Sequence, residues 1–301
     1  MSSETNLFDR QLMRMRQARV RKLASATFLV DRAAVELGER LSAVLRRFDV
    51  AVDLGTPTDA VRRMLAANKN IGTIVAANAN PQDADQSLLR VAADEEALPF
   101  ADAVLDLVVS VLTLQFVNDL PGTLIQVRRA LKPDGLFLAV LVGGESLTEL
   151  RSSFAAAESE IEGGVSPHVA PFADVREIGG LLQRAGFALP VVDIDRLVVR
   201  YDSVFALMHD LRAMGATNAL RERRRMPLRR STLARMAEIY AERYADADGR
   251  VRATFEVIWL SAWAPHESQQ KPLKPGSAAQ RLADALGTTE ISTGEKPGPS
   301  R

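Results

Sequence analysis

Apolar positions in this chain fall into short, nearly unbroken runs separated by amphipathic stretches, and that alternation identifies the architecture. Residues 105–112 (LDLVVSVL) are interrupted only by Asp106 and Ser110, as expected of a strand covered by helices on both faces. Asn118 and Asp119 supply helix-entry oxygens and Pro121 suits a first turn, so 120–131 reads as an amphipathic helix. Lys132-Pro133-Asp134-Gly135 ends it, because proline cannot continue a helix and Asp-Gly tolerates a tight turn. A second buried strand follows at 136–142. Strand, helix, turn and strand in this order make a right-handed parallel unit.

Upstream, 49–54 is a short apolar strand that runs into Gly55-Thr56-Pro57-Thr58-Asp59 and a helix over 60–67. Residues 71–77 and, more weakly, 88–92 add further strands. The pattern predicts a doubly wound α/β sheet, whose ligand sits at the carboxyl ends of the strands. The candidate site therefore collects Asp53, Gly55, Ala77, Asn78, Asp94, Glu95, Ser110 and Val111. Three regions lie outside this core. Residues 1–47 predict one or two helices, with a basic start and a longer helix at 29–48. Residues 203–244, between late strands at 191–201 and 253–263, predict a helical insertion that caps the substrate side and carries an arginine cluster at 221–230. The main domain thus spans 48–264, and the Pro/Gly/Ser/Lys-rich tail 265–301 is expected to be mostly disordered apart from a short helix near 278–286.

Composition narrows the function classes. With 38 basic and 38 acidic residues the net charge is zero, which argues against bulk nucleic-acid affinity. Only six of the 38 basic residues are lysine, and this arginine bias suggests a bacterial, cytoplasmic origin. The arginine cluster at 221–230 leaves room for peripheral contact with an inner membrane, although a solvated face is the default reading. There is no cysteine for disulfides, zinc or clusters, no signal peptide is visible, and no run approaches a membrane span. No histidine and carboxylate spacing matches an iron facial triad, so no metal is expected. Neither a Walker lysine nor a serine elbow is present.

Specific segments then add a resemblance. Leu7-Phe8-Asp9-Arg10, Asp94-Glu95-Glu96 with Leu98-Pro99-Phe100, residues 117–121, Gly143-Gly144 with Leu150-Arg151, residues 163–172, Arg184-Ala185-Gly186-Phe187 and His266-Glu267-Ser268-Gln269 carry it. They resemble the S-adenosylmethionine (SAM)-dependent methyltransferase superfamily. Within it they are similar to a family of mitochondrial complex I assembly factors that hydroxylate an arginine of a quinone-module subunit, and to their alphaproteobacterial relatives. The resemblance covers about nine tenths of the chain. It implies a class I methyltransferase, Rossmann-like fold, mostly parallel with an antiparallel late strand, and makes residues 1–47 a helical lid. SAM is the implied cofactor and a respiratory complex I subunit the implied partner. Glu145, Arg151 and His168 follow the fifth strand and are placed toward substrate: Glu145 to grip a guanidinium, Arg151 to pair with a carboxylate, His168 as an acid/base or contact group.

The departures are as informative. A working SAM loop carries spaced glycines, whereas only Gly55 survives here; Pro57 removes an N–H and Asp59 adds a carboxylate. Ala77-Asn78 stands where an acidic residue would hold the ribose hydroxyls. Asp94, expected at the adenine amine, is kept. A hydrogen bond to a charged group contributes about 1.5–3 kcal/mol, so these losses predict a weakened cofactor site. Bland readings accompany the sharp ones: Thr58 and Asp59 as helix caps, Asp94 to Glu96 as a solvated acidic turn, His168 packed within its loop, His209 structural. Three functions stay open: an assembly factor that modifies an arginine or chaperones, a SAM-dependent methyltransferase of a small or carrier-bound acid, and a non-catalytic scaffold.

Overall fold

Two helices, α1 (Arg10–Val20) and α2 (Phe28–Ser42), precede the sheet. The parallel half alternates β1 (Phe48–Leu54), α3 (Ala60–Ala67), β2 (Ile71–Asn78), β3 (Leu89–Ala92), β4 (Leu105–Val111), α4 (Leu120–Ala130) and β5 (Leu131–Val142). After α5 (Thr148–Glu162) and α6 (Val175–Arg184) come β6 (Ala188–Tyr201), α7 (Val204–Ala213), α8 (Arg230–Tyr244) and β7 (Val251–Trp263). The strands hydrogen-bond in the order β3-β2-β1-β4-β5-β7-β6, and only β7 runs antiparallel to its neighbours. This is the expected class I methyltransferase arrangement. The structure is a computed structural model and describes residues 6–20, 26–79, 89–270, 284 and 286–289. The chain divides into two units, Met1–His266 and Glu267–Arg301, and every element named above belongs to the first.

Period-two alternation explains why β4 is buried along its whole length. Leu107, Val109 and Val111 point into one core with α2, α3, α5, α7 and α8, while Val108 points into a second core with α4 and α6, which Leu105 joins because the register shifts between it and Leu107. β5 divides its residues in the same way: Leu136, Leu138 and Val140 face the first core, Phe137, Ala139 and Leu141 the second. Phe137 is fully buried and stacks on Phe187 at 5.5 Å, holding β5 against the end of α6. Burying such a side chain contributes about 1.5–3 kcal/mol.

Three expected boundaries shift. The helix forecast to reach residue 48 ends at Ser42, because Phe48 is needed as a fully buried strand residue paired with Ile71. The Lys132-Pro133-Asp134-Gly135 turn lies inside β5: Leu131 already pairs with Leu105, and pairing resumes at Leu136 opposite Leu107 across a register shift. Asp134 takes φ 63° there, a left-handed conformation that aspartate tolerates better than most residues. The insertion at 203–244 is not helical throughout; α7 and α8 flank an irregular stretch at 214–229. The short helix expected near 278–286 falls mostly outside the described residues.

Candidate functional site

The carboxyl ends of β1, β2, β3 and β4 converge on Gly55. Its backbone has φ 73°, its N–H donates to the Ala77 carbonyl at 2.8 Å, and its carbonyl accepts from Thr113 Oγ1 at 2.8 Å. A Cβ here would come within 2.7 Å of both Glu95 Oε1 and Thr113 Cγ2. Glycine is thus required by the fold itself. Asp53 is buried and pairs through Oδ2 with Arg62 at 2.8 Å. Burial pushes its carboxyl up to about 6, against the lowering effect of Thr56 and Arg62. Of the two residues forecast to cap α3, Thr58 accepts from the Ala60 N–H, whereas Asp59 turns outward to pair with Arg63 at 2.8 Å.

The acidic triplet is not a solvated turn. Arg10, at the start of α1, reaches Asp94 at 2.8 Å and Glu96 at 2.8 Å and also pairs with Glu95, with only 9% of its side chain exposed. Burial works against its charge, but Glu95, Glu96 and Asp94 outweigh that and hold the guanidinium more firmly protonated than usual. Arg14, one turn on, adds a 2.6 Å pair to Asp94. Burial alone would raise the Asp94 carboxyl; the hydrogen bonds from Arg14 and the Glu96 N–H, with the Arg10 charge, bring it below its ordinary value. The preceding residues are equally fixed. Asn118 accepts from the Phe8 N–H at 2.8 Å and donates to the Phe8 carbonyl, and Asp9 N–H donates to the Ala219 carbonyl at 2.8 Å. Asp9 also caps α1 through Leu12 N–H and pairs with Arg223 at 3.2 Å.

These contacts leave little free space beside Gly55. The cavity bounded by Met13, Arg14, Gln17, Gly55, Asn78 and Glu95 measures about 10 Å³. Docked α1 thus fills most of the space next to Gly55 and Asn78. Of the other forecast contacts, Asn78 is buried at the end of β2. Ser110 is fully buried and gives its hydroxyl to the Leu54 carbonyl at 2.8 Å, tying β4 to β1 beneath the site, and Val111 N–H donates to Thr56 Oγ1 at 3.3 Å.

On the other side of the Gly55 loop lies an apolar cleft of two adjoining chambers. The inner one, about 100 Å³, is walled by Pro57, Leu112, Gln115, Phe116, Leu147 and Phe172 among others. The outer one, about 190 Å³, shares Phe116, Leu147 and Phe172 and ends at His168. Leu112 and Leu147 have φ 53° and 55°, strain of about 1–3 kcal/mol each that clusters where a chain shapes a ligand site. His168 stacks on Phe154 with centroids 4.0 Å apart, and its Nε2 lies 2.8 Å from Glu158 Oε1. Glu158, whose side chain is 1% exposed, also accepts from the Ser166 N–H and hydroxyl, both at 2.6 Å. Burial pushes its carboxyl up, but Ser166 and His168 outweigh that and hold it below its usual value.

The other two substrate-side forecasts lie elsewhere. Arg151 donates to the carbonyls of Gly144 and Ser146 and so fastens the loop after β5. Glu145 is exposed and bonds through its backbone N–H to Glu256. Gly143 makes room for that residue, since a Cβ there would come within 2.4 Å of Glu256 Oε1. Part of the arginine cluster is consumed internally, Arg223 by Asp9 and Arg224 by Glu162 and Glu158. Among the described residues no group of three or more His, Asp or Glu side chains could hold a metal ion, and no helix is long and apolar enough to cross a membrane.

Residues 52–139 match a methyltransferase domain family. The chain is 38% identical over 287 residues to the mitochondrial arginine-hydroxylase NDUFAF5 of Danio rerio, covering 93% of this chain and 89% of that one. It is 40% identical over 281 residues to the Homo sapiens arginine-hydroxylase NDUFAF5, covering 91% and 81%. A malonyl-[acyl-carrier protein] O-methyltransferase of Xylella fastidiosa is 42% identical over 172 residues, covering 57% and 56%. Among solved structures, the YcgJ protein of Bacillus subtilis superposes with TM-score 0.52 at 14% identity, over 76% of this chain and 98% of that one, a likeness of fold alone.

Proposed function

Because the chain belongs to the family of the mitochondrial arginine-hydroxylases NDUFAF5, we propose that it is a bacterial assembly factor for respiratory complex I that acts on an arginine side chain of one subunit. One observation carries this reading: the likeness covers 93% of the chain, whereas the malonyl-carrier methyltransferase matches 57% of it. The docking of Leu7-Phe8-Asp9-Arg10 against residues 94–96, 118 and 219–223 gives α1 and the capping insertion a shared structural purpose. In this reading residues 1–47 are the lid of the site. SAM, the cofactor of the fold, binds only when α1 withdraws, and weakly, since Asp94 must exchange two arginine partners for the nucleoside.

The cleft beside the Gly55 loop is the place for the target residue. It is apolar and walled in part by Gln17 and Val20 of α1, which reduces the water around whatever side chain enters. The decisive experiment is co-purification of the tagged protein from its native membranes, followed by mass spectrometry of complex I subunits with and without the gene. Recovery of a complex I subunit, and loss of one oxygen atom's mass from a single arginine in the deletion strain, supports the proposal. Recovery of an acyl carrier protein instead, with methyl transfer to its acyl group, makes the protein a carrier-bound acid methyltransferase.

A further inference from the structure

We propose that the two-chamber cleft is a guanidinium subsite in which Gln115 and His168 accept hydrogen bonds from the substrate arginine against the wall formed by Phe116 and Phe172, with Glu158 as positioning residue. This deepens the arginine reading above and rests on it. The argument starts from atoms without partners. Gln115 donates its Nε2 to the Leu112 carbonyl at 2.8 Å, yet its Oε1 is buried and accepts no hydrogen bond among the described residues. A buried acceptor left open is uncommon and calls for a donor. His168 supplies a second one. Glu158 is ionised, because its carboxyl is held below the usual range, and an ionised carboxylate only accepts. In the tautomer that donates Nε2–H to Glu158, Nδ1 is the acceptor of the ring. Among the described residues no hydrogen bond reaches Nδ1.

Size and charge fit the same ligand. Chambers of about 100 and 190 Å³ fall below the roughly 300 Å³ at which pockets for whole small molecules begin, so the cleft suits one side chain inserted by a larger partner. The described lining contains no aspartate or glutamate and only one cation, Arg212, which is exposed at the rim. A guanidinium is the cation best suited to such walls, since it is weakly hydrated and stacks on aromatic faces. Phe116 and Phe172 meet edge-on at 6.5 Å and line both chambers. The charge that balances it stands behind His168: Arg224 lies between Glu158 and Glu162, leaving that group with one net negative charge.

The test uses the full chain with Nα-acetyl-arginine amide as probe and the norleucine and citrulline amides as controls. Nitrogen-15 NMR of the histidine ring follows Nδ1 of His168 directly. The arginine amide is expected to bind at least about 10-fold more tightly than either control, the effect of one hydrogen bond to a charged group, and to shift the Nδ1 signal. Gln115→Met, a change of similar volume, should reduce that preference about 10-fold. Equal binding of the three amides, an Nδ1 signal unmoved at saturation, or full selectivity in Gln115→Met each overturns the subsite. Failure here with intact co-purification removes the subsite alone; intact selectivity with no complex I partner removes the assembly reading and keeps the subsite.

Discussion

Replacing Arg10 with alanine separates a lid from a wall. Arg10 is almost fully buried among three carboxylates, and removing one partner of a buried ion pair costs about 3–5 kcal/mol because the other charge is stranded. Here the stranded charges can escape, because undocking of α1 returns Glu95 to water. The penalty therefore falls on α1 closure rather than on the whole fold. Taking about 3 kcal/mol, the population of the undocked form rises roughly 100-fold, at 1.4 kcal/mol per factor of ten. Amide exchange across residues 10–20 should accelerate by about that factor, while amides of β4 and β5 keep their protection. If docked α1 occupies the cofactor's place, apparent SAM affinity should rise by up to the same factor, since only the undocked fraction binds. Calorimetric titration and hydrogen exchange on the same samples check both. Faster exchange with unchanged or weaker SAM binding would refute the reasoning, because α1 would then be part of the binding wall.

Three further outcomes follow from particular contacts. Asp53 has a folded value raised from 3.8 to about 6, so the folded protein takes up its extra proton between those values and gains stability as pH falls through that window. Relative to Asp53→Asn, the wild-type unfolding free energy in urea should therefore increase by about 2 kcal/mol between pH 7.5 and pH 4; a flat difference contradicts the assignment. Gly143→Ala places a methyl 2.4 Å from Glu256 Oε1, whose carboxylate is tied to the Glu145 N–H and to Arg196 at 3.5 Å and cannot retreat freely. A loss of about 1–3 kcal/mol, read as a lower melting temperature, is expected. Asn118→Ala removes both bonds to Phe8 and should speed exchange of the first turn of α1, at about 1–2 kcal/mol, without affecting the sheet.

The sheet was legible because its strands are buried on both faces, and such runs stand out whatever surrounds them, as 105–112 does. Boundaries failed where tertiary demand overrides local pattern: Phe48 continues the apolar spacing of α2 but is claimed by β1, and Lys132-Pro133-Asp134-Gly135 looks like a turn because a bulge uses the same residue types. Candidate residues were legible at Gly55, Asp94 and His168, which sit in recognisable motifs. The partner of the acidic triplet was not, since nothing local links Arg10 to residues 84 positions away. Glu158 left a readable trace: it follows Leu150, Phe154 and Ala157 on the buried stripe of α5, and a carboxylate on that face must find a donor. Gln115 left none, because an open acceptor is a property of its surroundings and not of its residue type.

The grip on Leu7-Phe8-Asp9-Arg10 also orders events in time. Its holders include Asn118, Ala219 and Arg223, so α1 cannot be fully seated until residues far downstream have been made. Roughly two hundred residues must be added after Arg10 before that seat is complete, an interval of about 10–40 s at ordinary synthesis rates. Until then α1 has only its partners at residues 94–96 and 118, and the Gly55 loop is held by part of its final cover.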